Sequence, residues 1–106
     1  MTKKRKPAYD LKAFKVAFNS VEKLAVTSTA LKSAVALGFG RQEIVETIQS
    51  IQSKHFYQSM TAYANQREWQ DVYHVPSAVG VLYIKFTADA LTEFLLLSFK
   101  EKEDDS

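Results

Sequence analysis

A chain of 106 residues, 46% of them hydrophobic and 25% charged, is sized for a single domain with one real core. It has no cysteine, which excludes disulfide staples and thiolate metal sites, and its two histidines, His55 and His74, are too few for a structural zinc site. The formal net charge of +2 permits a nucleic-acid ligand without requiring one.

The charge is unevenly placed. Lys3, Lys4, Arg5 and Lys6 make the start basic, and Glu101, Glu103, Asp104 and Asp105 make the end acidic. Residues 1–8 read as a flexible basic arm and residues 103–106 as an acidic tail, on a single domain spanning 1–106. No apolar stretch follows the basic start, so no signal peptide is expected. The longest apolar runs, Phe94-Leu95-Leu96-Leu97 among them, are far too short to span a bilayer. The expectation is a soluble cytoplasmic protein without membrane contact.

The first half has helical spacing. Asp10 can cap a segment whose apolar residues, Leu11, Phe14, Phe18 and Val21, recur at three and four. Thr27 or Ser28 can cap a second segment with Leu31, Ala34 and Val35 on one face. Gly38 suits its C-terminal end, since glycine enters the left-handed region without a side-chain clash. A third segment begins near Arg41 and lines up Ile44, Val45, Ile48 and Ile51. Each of these helices is short, so each needs a surface to pack against.

The second half changes to strand patterns. Phe56 to Tyr63 precedes the polar turn Asn65-Gln66-Arg67, and Trp69 to His74 is expected to end at Val75-Pro76-Ser77. In Val81 to Thr87, Leu82, Ile84 and Phe86 point one way and Tyr83 and Lys85 the other. In Phe94 to Lys100, alternation puts Leu95, Leu97 and Phe99 on one face and Phe94, Leu96, Ser98 and Lys100 on the opposite one. Short polar links make an antiparallel meander the simplest pairing. The fold class is therefore α+β, with about three N-terminal helices on one face of a mainly antiparallel sheet of four or more strands. The other face is left at least partly open, and a polar set that includes Gln70, Tyr83, Lys85, Ser98 and Lys100 needs a reason to be there.

Four ordered blocks carry a resemblance. Phe56-Tyr57-Gln58-Ser59-Met60-Thr61-Ala62-Tyr63, Trp69-Gln70-Asp71-Val72-Tyr73, Gly80-Val81-Leu82-Tyr83-Ile84-Lys85 and Leu96-Leu97-Ser98-Phe99-Lys100-Glu101-Lys102 are similar to stretches of MqsR toxins. The likeness runs from Pro7 to Lys102, and the region Thr27 to Phe39 fits less tightly. It implies a RelE-like fold, a type II toxin–antitoxin system, and a metal-independent endoribonuclease that cuts messenger RNA. It also implies an antitoxin partner with a zinc-binding part and a helix-turn-helix part; the zinc would be the partner's, and this chain needs no cofactor. The family's functional positions fall on Gln70, Tyr83 and Lys100. A fourth, a lysine in the family, falls here on Gln58, and near His74 the family usually carries an arginine.

These residue types suit RNA cleavage because RNA brings its own nucleophile, the 2′-hydroxyl. The protein then has to orient it, move protons and hold the charge that develops on phosphorus. Lys100 is the candidate for the phosphate charge, Tyr83 for a proton or hydrogen bond toward an oxygen, and Gln70 for phosphate or base through its amide. Gln58 and His55 are further candidates for the chemistry, the latter because imidazole titrates near neutral pH. Lys85, Lys54, Tyr63 and His74 are candidates for RNA contact, and Tyr73 and Trp69 for base stacking, Trp69 alternatively as a core anchor. A strand tyrosine is also an ordinary packing residue and a terminal lysine an ordinary solvated one. Two further readings therefore stand beside the nuclease: an RNA-binding translation regulator of the same family weakened by Gln58, and a non-enzymatic module that docks a protein on its open sheet face or edge.

Overall fold

A computed structural model describes residues 2–103 of the chain. Asp104 and Asp105, part of the expected acidic tail, lie outside the described residues.

Helix α1 (Leu11–Ala17) starts where Asp10 accepts a hydrogen bond from the Lys12 N–H at 3.2 Å. It buries Phe14, and Phe18 follows it into the core. Val21, expected on the same helix, belongs instead to a separate 3₁₀ turn, Val21–Lys23. Helix α2 (Ser28–Ala36) is capped by Thr27, whose hydroxyl accepts from the Ala30 N–H at 3.1 Å. Its buried face is Ala30 and Ala34, while Val35, expected inside, is 58% exposed. Small alanines let this helix lie close to the sheet. Gly38 takes φ 91°, and the bonds Gly38 N–H to Val35 and Phe39 N–H to Ala34, both 2.9 Å, close the helix end as expected. Helix α3 (Arg41–Gln49) is tied at its start by the Glu43 carboxylate, which accepts from the Gly40 N–H at 2.9 Å, and it buries Ile44, Val45 and Ile48.

Among the described residues the five strands are β1 (Lys3–Lys4), β2 (Phe56–Thr61), β3 (Trp69–Ser77), β4 (Gly80–Asp89) and β5 (Glu93–Glu101), in the sheet order β1-β2-β3-β4-β5 with every pair antiparallel. The α+β expectation is met, with the helices on one face. The basic start, expected as a free arm, lies along β2: Lys3 and Lys4 pair with Met60 and Ser59. Strand β3 also runs past its expected end, with Pro76 paired to Val81.

The helix-covered face carries Tyr73, Val75, Leu82, Ile84, Phe86, Phe94, Leu96 and Phe99, packed against Phe14, Phe18, Ala30, Ala34, Ile44, Ile48 and Ile51. Phe14 stacks on Phe86 with ring centroids 3.6 Å apart. Asp71 is also on this face, with no solvent exposure. Its carboxylate accepts from the Ala8 and Tyr9 N–H groups, each at 3.0 Å, and from the Ser59 hydroxyl at 2.7 Å. A buried carboxylate is tolerable only when so satisfied, and this one pins the segment before α1 to the sheet.

Two irregularities break the strand alternation. In β5, Lys85 pairs with Ser98 but Phe86 pairs with Leu96, which leaves Leu97 as an extra residue. The backbone there is held from the outer side by the 25–27 segment, through Leu96 N–H to Ala25 at 2.9 Å and Thr27 N–H to Leu96 at 3.1 Å. The core residues of β5 are consequently Phe94, Leu96 and Phe99, not the alternating set Leu95, Leu97 and Phe99. In β2, Phe56 pairs with Tyr73 but Gln58 pairs with Val72, so Tyr57 is the extra residue.

Candidate active site

The bulge in β5 decides where Lys100 goes. With strict alternation, the phase that buries Phe94 and Leu96 would carry Lys100 onto the helix-covered face. One inserted residue resets the phase, so that Phe99 is buried and Lys100 emerges on the uncovered face, directly opposite Tyr83. The Lys100 Nζ stands 5.3 Å from the centroid of the Tyr83 ring. The bulge in β2 has a parallel effect, since Tyr57 and Gln58, adjacent in sequence, both line the same cleft.

That cleft, of about 530 Å³, is lined by Tyr57, Gln58, His74, Tyr83, Lys100, Lys102 and Glu103. His74 is paired opposite Tyr83, with ring centroids 6.0 Å apart, and Tyr57 stacks on His74 at 4.2 Å. Lys85 lies one same-face position along β4, beside Val72, which is fully buried although no helix covers it. The long side chains flanking it, Gln58 and Lys85, supply that cover, with the lysine stem lying on apolar surface.

The electrostatics follow from half-burial and a local excess of cations. Burial, with a smaller push from Tyr57, raises the Tyr83 pKa, so the phenol holds its proton. Burial and then the neighbouring Lys102 lower the His74 pKa, which favours neutral imidazole. Lys85 is lowered by burial and by Lys100, with Glu68 acting in the opposite direction. Among the described residues, none of Gln58, His74, Tyr83, Lys85 and Lys100 has a hydrogen bond to its side chain, so their polar atoms are available to a ligand.

Several expected residues are not gathered here. Gln70 shares the uncovered face but lies four residues from His74 along β3, roughly 13 Å at about 3.3 Å per residue, and its amide donates to Glu68 at 2.8 Å. His55 is in the 3₁₀ turn Ser53–His55 before β2, where its Nδ1 accepts from the Gln52 N–H at 3.0 Å. Lys54 lines a wider cleft on the helix side together with Lys12 and Lys15. Tyr63 falls beyond the end of β2, 89% exposed. Tyr73 is in the core, its hydroxyl pushed up to about 12 by burial and then by Asp71 and Asp10, and is closed to stacking on a base. Trp69 is half-buried at the start of β3 under the Lys4 ammonium, 4.2 Å from the ring, and lies outside the hydrophobic core, so it does not anchor it. Tyr57 and Lys102 line the cleft without being among the residues expected there. Lys102 had a signal, being two residues beyond Lys100, but a bulge at Tyr57 had none.

The family described as "Motility quorum-sensing regulator, toxin of MqsA" matches residues 6–101. The chain belongs to the MqsR toxin family. It is 34% identical over 99 residues to the mRNA interferase toxin MqsR of Escherichia coli (strain K12), an alignment covering 93% of this chain and 98% of that one. The blocks that carry the MqsR likeness are the strands that build the uncovered face, and Asp71, within one of them, holds the fold rather than the cleft.

Proposed function

We propose that this chain is an endoribonuclease toxin that cuts messenger RNA in the Tyr83–Lys100 cleft and so stops translation. The observation that carries the reading is the direct pairing of Tyr83 with Lys100 on the face that no helix covers. Its curated relative is named an mRNA interferase toxin, which supports the same substrate class.

In this reading the scissile phosphate rests on the Lys100 ammonium, a compact charge suited to a phosphate oxygen, with Lys85 and Lys102 on neighbouring phosphates. The 2′-oxygen attacks phosphorus, and Tyr83 gives its proton to the departing 5′-oxygen. Gln58 offers an amide where the family carries a lysine, a weaker donor to phosphate. Gln70, too far along β3 for the same phosphate, meets a flanking nucleotide. No metal is called on, because the nucleophile is intramolecular. Messenger RNA places the activity in the cytoplasm, and no helix among the described residues is long and apolar enough to cross a membrane. An antitoxin partner, of the zinc-binding and helix-turn-helix type that the family resemblance implies, would hold the toxin silent.

The test is incubation of the purified protein with an unstructured transcript in excess EDTA. Fragments ending in a 2′,3′-cyclic phosphate are expected; intact RNA with folded protein would remove the assignment. A second reading, a catalytically weakened RNA-binding regulator, is favoured by Gln58 alone and predicts binding without cutting in that assay.

A further inference from the structure

The cleft contains a titratable group that the scheme above leaves idle, and attack by the 2′-oxygen needs an acceptor for its proton. Lys100 carries the wrong charge for that task, and Tyr83 is held protonated. His74 sits between two phenols: Tyr57 from β2 lies against one side, 4.2 Å away and 20° from parallel, and Tyr83 from β4 is 6.0 Å away on the other. Its ring is thereby fixed in the floor of the cleft. The chain's other histidine makes the contrast, since His55 spends its Nδ1 on the Gln52 N–H. Among the described residues nothing hydrogen-bonds a His74 ring nitrogen, and no buried side-chain nitrogen is left without a partner, so those nitrogens open to the cleft.

We propose that His74 is the general base of this cleft, taking the proton of the ribose 2′-hydroxyl as that oxygen bonds to phosphorus. The proposal rests on the nuclease reading and assigns the step it leaves open. The 2′-O–P bond forms while its proton passes to imidazole; the P–O5′ bond breaks while the Tyr83 proton passes to the 5′-oxygen. Solvent then returns one proton from imidazolium to tyrosinate, so the enzyme is regenerated and the products are a 2′,3′-cyclic phosphate and a 5′-hydroxyl. The groups facing His74 are Tyr57, Tyr83, Lys100, Lys102 and Glu103. Its burial, and then Lys102 beside it, lower the His74 pKa and so favour the neutral imidazole that a base needs. Once protonated, it is stabilised by the phosphate and by the face of Tyr57 stacked on it.

The experiment is a pH–rate profile, from about pH 5 to 8 in EDTA, of wild type, His74→Gln and His74→Arg on a single-stranded RNA. For wild type, kcat/KM should fall on the acid side with a midpoint below 6.5, the direction set by the lowered His74 pKa. Both variants should lose about 10²–10⁴-fold in kcat with much smaller changes in KM, and should lose the acid limb. A His74→Arg enzyme that cuts as well as wild type would show that the position only attracts phosphate, and would overturn the proposal. So would a wild-type profile that stays flat below pH 7, a result that does not depend on any variant folding. Wild type that binds RNA but never cuts it would instead remove the nuclease reading itself, and His74 with it.

Discussion

The two faces of this sheet treat their polar groups in opposite ways. On the helix-covered face the Asp71 carboxylate accepts three hydrogen bonds, two of them from backbone more than 60 residues away in sequence. Its bonding capacity is consumed in joining the N-terminal segment to the strands. On the uncovered face Tyr83 has the Lys100 ammonium 5.3 Å from its ring and the His74 ring 6.0 Å away, yet the polar atoms of all three bond to nothing among the described residues. A protein gains little stability from such groups and gives up pairing to keep them free. The first face spends its polar groups on the fold; the second leaves them open to the cleft.

That contrast breaks if substitutions on the two faces have similar consequences. The largest effect expected is from Tyr83→Phe, which removes one hydroxyl and no packing. It should lower kcat by about 10²–10⁴-fold while the urea midpoint stays near that of wild type. Equal losses of stability and rate would mean that the phenol is a packing residue after all. Next comes Phe86→Ala, which removes the ring stacked on Phe14 and should cost about 3–5 kcal/mol of unfolding free energy. The molecules that remain folded should still cut RNA with nearly wild-type kcat, measured well below the denaturation midpoint.

The elements of this fold were largely legible because their signals are local. Asp10, Thr27 and Gly38 mark helix ends by side-chain and backbone chemistry that acts within three or four residues. Leu82, Ile84 and Phe86 mark the buried face of β4 through simple alternation. What could not be read were two inserted residues, Tyr57 and Leu97, because a bulge is imposed by the neighbouring strand and not by the residue that bulges. The 25–27 segment, some 70 residues before Leu97, holds the β5 bulge in place. The pairing of Tyr83 with Lys100 was reachable through family motifs, whereas His74 beside Tyr57 depends on the β2 bulge and had no sequence cue. Gln70 shows the opposite failure, since a shared face implied a shared pocket and the two are separated along β3.

Gln58 sharpens the comparison from the open side. Replacing it with the lysine common in the family adds a charged donor to a cleft already holding Lys100 and Lys102. A charge-assisted bond to phosphate exceeds a neutral one by about 1–1.5 kcal/mol, so Gln58→Lys should raise kcat/KM by about five- to thirteenfold. A neutral or harmful result would mean that this cleft is tuned to two lysines and that a third only raises repulsion.

The smallest effect belongs to Lys85, one same-face position from Tyr83 and half-buried over Val72. If it touches a phosphate next to the one being cut, Lys85→Ala should weaken RNA binding a few-fold without altering kcat. The decisive reading is the salt slope. Each phosphate neutralised on a single strand contributes about 0.7 to the dependence of log K on log salt, so the variant should be shallower by about that amount. Burial and Lys100 already lower the Lys85 pKa, and an RNA phosphate would raise it again, so the contact should persist to neutral pH. A variant with wild-type slope would return Lys85 to the role of covering Val72 and would confine the RNA to the end of the sheet that holds Lys100 and Lys102.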